Sequence, residues 1–173
     1  MLALLGRKSA SPPQELLALP RNQKELDEAI KRAKSLVTKR AALASAASLV
    51  PIPGLDLAVD IAAVMKLIPE INKEFGLTPE QISRLSSAKQ LMVYKSIVAI
   101  GSVMIGKLIT KEIAVHVLKT VGVRMTTRQI TKYVPVAGQA LSMALGFAAM
   151  KYVGHQHIKD CQRVIEVMLK DKS

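Results

Sequence analysis

The sequence has no tryptophan, two phenylalanines, three tyrosines and a single cysteine. So few aromatics argue against β-structure, whose strands favour aromatic and β-branched residues. They leave a core of Ala, Leu, Ile, Val and eight methionines, which suits close-packed helices. The lone Cys161 excludes an intramolecular disulfide and fits a reducing compartment. Acidic residues are scarce too. Against 25 Lys and Arg stand 13 Asp and Glu, a formal net charge of +12, and a field of that sign attracts phospholipid, nucleic acid or an acidic partner. No apolar run reaches the roughly 20 residues of a membrane-spanning helix. The nearest, residues 133–150, is shortened by Pro135 and Gly138. A secretory leader is not evident, because Arg7 and Lys8 follow the apolar residues 1–5 and Pro12 and Pro13 interrupt soon after. What is present is a chain of 173 residues, half of them apolar, enough for one domain with its own core.

The chain is organised around Val50-Pro51-Ile52-Pro53-Gly54-Leu55-Asp56, set between two apolar, small-residue-rich runs. Pro51, Pro53 and Gly54 cannot continue a helix, since proline lacks the N–H and its ring clashes with the previous turn. Asp56 then offers an oxygen to the free N–H groups of the next helix. A second corner, marked by Pro135 and Gly138, precedes another apolar run at 140–153. The expected architecture is all-α, a compact multi-helix bundle built on two Pro/Gly corners. Residues 1–20, punctuated by Pro12, Pro13 and Pro20, read as a flexible arm, and 21–173 as one helical domain.

Asn22 followed by Glu25 predicts a helix start, and apolar residues recur at helical spacing from Leu26 to Val37. The other face is basic, with Lys24, Lys31, Arg32, Lys34, Lys39 and Arg40, and the C-terminal half turns apolar enough to predict burial. A helix over 57–75 is expected to kink at Pro69 and to be capped by Gly76. Thr78-Pro79-Glu80-Gln81 restarts the chain, and helical patterning continues to about Ile109. Further helices are expected over 111–121, ending before Gly122, then a short basic helix with Arg128 and Lys132. The last two are expected over 139–153 and 155–170, with Gly154 between them as a break or bend.

Three constellations invite chemistry and fall short of it. Gly101 to Leu108 nearly matches the phosphate-binding pattern, but Leu108 replaces the magnesium-holding hydroxyl and the preceding run reads as helix rather than strand; close helix packing explains the two glycines. His157 and Cys161 share a helical face, but His155 does not, and a fourth metal ligand at finger spacing is missing; surface histidines and a buried thiol account for them. Asp56 and Asp60 lie one turn apart with no nearby histidine or nucleophile, so a capping role suffices. No catalytic, cofactor or metal residue is assigned. The spacing Gly138-Ser142-Gly146 allows close helix crossing.

The segment Ser48 to Asp56, with Val59-Asp60 and Phe75-Gly76-Leu77, resembles the helical domain that follows the GTPase domain in immunity-related GTPases. It is equally similar to a bacterial domain of unknown function found after Era-like GTPase domains and in inner-membrane proteins, where a second corner like 134–138 recurs. The resemblance spans about 33–153 and implies a helical module. With no DxxG or guanine-reading motif in the sequence, it implies no nucleotide switch of its own. It also implies membrane association.

The resulting expectation is a non-enzymatic module of the bacterial cytoplasm, peripheral at the inner membrane. Its basic face, Lys24 to Arg40, would meet anionic lipid or a membrane-linked partner protein. One alternative is a soluble protein-binding module whose partner is a GTPase or toxin. A pore-forming or membrane-disrupting effector is the other. Nucleic acid is disfavoured, because stacking aromatics are nearly absent.

Overall fold

The computed structural model describes residues 18–47, 55–129 and 138–171. Six helices and no strand occur among them: α1 (Gln23–Ala47), α2 (Leu55–Glu74), α3 (Pro79–Ser83), α4 (Ser87–Ile100), α5 (Lys111–Gln129) and α6 (Gly138–Lys170). The protein is an all-α bundle. Helix α6 is its centre, packing against α1, α2, α4 and α5, and α1 also packs on α2.

Helix α1 starts where its cap dictates. Asn22 Oδ1 accepts from the Glu25 N–H (2.9 Å), and Glu25 Oε2 accepts from the Arg21 N–H (2.9 Å), so two otherwise orphaned donors are satisfied. Its buried stripe is Leu26, Ala29, Ala33, Val37 and Ala41, at spacings of three and four. Small side chains there let α6 approach closely. The approach is tightest at Gly154 of α6, where a Cβ would lie 2.6 Å from Val37 Cγ2. Gly154 therefore serves packing and does not break the helix: α6 runs unbroken where two segments were expected. At Gly146 a Cβ would meet nothing within 4 Å among the described residues, so none of them makes there the close crossing that the Gly138-Ser142-Gly146 spacing allows. The C-terminal part of α1 is less covered than its composition suggests, since Leu43 is exposed.

Helix α2 ends on Gly76 as expected, in a Schellman arrangement. The Leu77 N–H donates to the Asn72 carbonyl (2.9 Å), the Gly76 N–H to that of Lys73 (3.2 Å), and Gly76 adopts φ +70°. Gly76 has a second duty. A Cβ there would lie 2.7 Å from the backbone nitrogen of Leu19. Residues 18–20 thus pack against the end of α2, with Pro20 buried, so the part of the arm that is described is fixed.

The expected capping box of α3 is present, with the Gln81 N–H donating to Thr78 Oγ1 (3.2 Å) and the Thr78 N–H to Gln81 Oε1 (3.0 Å). The long helix expected from there to Ile109 is not. It breaks after Ser83 and restarts at Ser87, and Gln90 Nε2 bonds the Ser83 and Leu85 carbonyls across the gap. It then stops at Gly101, in the left-handed region at φ +74°. Both glycines of the false phosphate loop adopt positive φ; Gly101 has open space where a Cβ would be, whereas at Gly106 a Cβ would lie 3.1 Å from Ile82 Cδ1 of α3 and 3.4 Å from Ile97 Cδ1 of α4, so the expected close packing holds there alone. Helix α5, by contrast, continues through Gly122, where a stop was expected, and runs through Arg128; Lys132 lies outside the described residues.

Of the corner residues, Pro51, Pro53, Gly54 and Pro135 lie outside the described residues. Helix α2 begins at Leu55, which places Asp56 inside its first turn rather than before it, and Gly138 is the first residue of α6. Helix α2 also continues through Pro69 as one element.

Candidate functional site

The six basic residues of α1 divide into two groups. Arg32 and Arg40, eight apart, lie on the flank facing α2. Arg32 Nε donates to Glu74 Oε2 at 2.7 Å, and Arg40 makes a two-pronged pair with Glu70 through Nε (2.7 Å) and a terminal guanidinium nitrogen. Bonding to Glu70 raises the Arg40 pKa further above its ordinary value. These two arginines clamp α1 to α2. Lys24, Lys31, Lys34 and Lys39 remain exposed and have no ion pair among the described residues. Lys34 belongs to a wider cationic neighbourhood, because it, Lys151 and Lys159 all disfavour protonation of His155, whose pKa is lowered chiefly by burial.

Helix α4 presents a surface of another kind. One side packs into the core through Val93, Ser96 and Ile97. The opposite side carries Leu91 (55% exposed), Tyr94 (48%) and Val98 (78%), whose spacing of three and four puts them on one face. The connection to α5 adds Val103 (54%) and Leu108 (76%). Leaving each such aliphatic side chain in water forgoes roughly 1–2 kcal/mol relative to burying it. The surrounding sequence is basic throughout. Residues 84–111 include Arg84, Lys89, Lys95, Lys107 and Lys111, all exposed, and no Asp or Glu.

The connection is held in place from inside. Asn72 of α2 donates through Nδ2 to the Met104 carbonyl (3.0 Å), while Ile105 and Ile109 are buried. With its amide nitrogen so used, Asn72 turns Oδ1 toward His157 Nε2 of α6, at 2.8 Å. His157 Nε2 must then carry the hydrogen. Cys161 Sγ lies 3.6 Å from the same Oδ1 and 3.7 Å from the same Nε2. His157 Nδ1 is buried without a hydrogen-bond partner.

Cysteine, histidine and asparagine together suggest a nucleophile, but this geometry does not make one. A working base needs one ring nitrogen for the thiol and the other for its orienting partner. Here both neighbours address Nε2. Burial also pushes His157 down to about 3 and the Cys161 thiol well up, so neither charged form is favoured. The expectation that His157 is a surface residue is corrected: it is fully buried, as is Cys161. No group of three metal-ligating side chains occurs among the described residues.

A family of domains of unknown function, DUF697, matches residues 16–170. The chain belongs to the DUF697 family. No curated protein and no solved structure matches it. The match takes in all six helices of this DUF697 chain, and with them both the cationic lysines of α1 and the α4 surface.

Sequence reasoning missed the α4 face. Its signal was legible in part: residues 91–100 are apolar nearly all round the helix, a pattern that calls for cover on every side. The fold covers only one. Among the described residues no helix is long and apolar enough to cross a membrane.

Proposed function

We propose that this DUF697 chain is a non-enzymatic helical module that binds the anionic surface of a membrane peripherally. The observation that carries the reading is its concentration of exposed cationic side chains. Five exposed basic residues occupy 84–111 without one carboxylate, and Lys24, Lys31, Lys34 and Lys39 add to them from α1. Each such residue near an anionic leaflet contributes about 1 kcal/mol, screened by salt over about 8 Å at physiological ionic strength. On this reading the protein works in the bacterial cytoplasm at the inner membrane. The resemblance of 48–56, 59–60 and 75–77 to GTPase-linked helical domains supports a membrane-linked GTPase as its protein partner.

Flotation of the purified protein with vesicles tests this. Vesicles of phosphatidylcholine with phosphatidylglycerol should carry the protein at low salt and release it at high salt, and phosphatidylcholine alone should not carry it. A protein that floats with neither vesicle defeats the proposal. Salt-resistant retention with release of a trapped dye would establish the pore-forming alternative instead.

A further inference from the structure

Resting on the membrane reading, we infer that the face of α4 bearing Leu91, Tyr94 and Val98, extended by Val103 and Leu108, is the surface that enters the headgroup layer of an anionic bilayer.

Three observations converge on it. The five side chains project from rigid supports: α4 is anchored on its other side by Val93 and Ile97, and the connection is tied through Met104 to Asn72 and by buried Ile105 and Ile109. The backbone that carries them then needs no reordering when the surface meets lipid. The same stretch carries the exposed Arg84, Lys89, Lys95, Lys107 and Lys111, residue types whose aliphatic stem lies along an apolar layer while the head stays with phosphates. The one aromatic, Tyr94, has the amphipathic ring that favours the interfacial layer.

The same facts choose the occupant. Protein–protein interfaces are depleted in lysine and enriched in aromatics, whereas four of the five cations here are lysine and four of the five apolar side chains are aliphatic. A nucleic-acid surface needs stacking platforms, and this one has a single ring. An anionic lipid layer matches both the aliphatic centre and the predominance of cations over carboxylates around it.

Val98→Cys, Leu108→Cys and Thr38→Cys variants of the full chain, each labelled with an environment-sensitive fluorophore, provide the test. Native Cys161 is buried and leaves the introduced thiol as the reactive one. Thr38 is exposed on α1 beside Lys34 and Lys39, whose charged heads stay at the phosphates on the membrane reading, so a label there follows adsorption without entry among the acyl chains. With phosphatidylglycerol-containing vesicles, labels at 98 and 108 should shift to the blue and be quenched by brominated lipid, and the label at 38 should not. Unlabelled Leu91→Ser/Val98→Ser should retain its helical circular dichroism and bind these vesicles about tenfold or more weakly, as expected for removing two partly buried aliphatic contacts.

Wild-type flotation with aqueous spectra at 98 and 108 would overturn the inference while leaving peripheral adsorption intact. So would a vesicle-independent blue shift that grows with protein concentration, because a second copy would then cover the face. Failure of the wild type to float at all would remove both this inference and the reading beneath it.

Discussion

Gly154 and Val37 meet at the α1–α6 crossing, where the missing Cβ of one makes room for both methyl groups of the other: a Cβ would lie 2.6 Å from Cγ2 and 2.7 Å from Cγ1. Gly154→Ala gains up to about 1 kcal/mol of helix propensity but must force the two helices apart. The net expectation is a loss of about 1–3 kcal/mol, read from urea denaturation. Combining it with Val37→Ala should recover part of that loss. An unchanged or raised midpoint for Gly154→Ala alone would show that the crossing is looser than described.

Charge reversals should separate by position. Lys31→Glu with Lys34→Glu should weaken flotation with anionic vesicles and leave the urea midpoint nearly unchanged. Arg40→Ala and Glu70→Ala should behave in the opposite sense. A double-mutant cycle on that half-exposed pair should give a coupling of about 0.5–1 kcal/mol, with flotation little altered.

The buried imidazole sets an acid limit. His157 is held to about 3 in the folded protein against about 6.5 in an unfolded chain. Its folded pKa is depressed, so the unfolded state binds the extra proton first as pH falls. Stability is full above pH ~6.5 and declines below it by about 1.4 kcal/mol per pH unit toward pH ~3. His157→Gln keeps a donor for Asn72 and does not titrate in this range. Its stability between pH ~6.5 and ~4.5 should be flatter than that of the wild type, in denaturant melts at matched ionic strength.

Asn72→Leu should be costly in a different way. It removes the partners of the Met104 carbonyl and of His157 Nε2 while both stay buried or partly so, for an expected loss of about 2–4 kcal/mol. Proteolysis of the native variant should then begin within 101–110, the connection that Asn72 holds. Cleavage elsewhere first would place the weak point away from that bond.

What the chain disclosed in advance was local. Asn22 with Glu25, Gly76, and Thr78 with Gln81 each complete their hydrogen bonds within five residues, so their sequence spacing already contains the structure. Glycine misled in both directions, for a physical reason. Gly122 and Gly154 are compatible with helix, and Gly154 is needed there only because Val37, far away in sequence, occupies the space. The break between Ser83 and Ser87 left a weaker mark, since serines compete with helix bonding only mildly. The ion pairs that set Arg32 and Arg40 apart from the lysines were not legible either. Their carboxylates, Glu74 and Glu70, lie 42 and 30 residues on, and nothing short of the packed fold brings them opposite.

The backbone contact between Gly76 and Leu19 also fixes a point of departure. Because the chain is pressed against the end of α2 before α1 begins, Ala18 and Leu19 are placed by α2 and not by the start of α1. The site at which the described chain begins is thus set by a glycine more than fifty residues downstream.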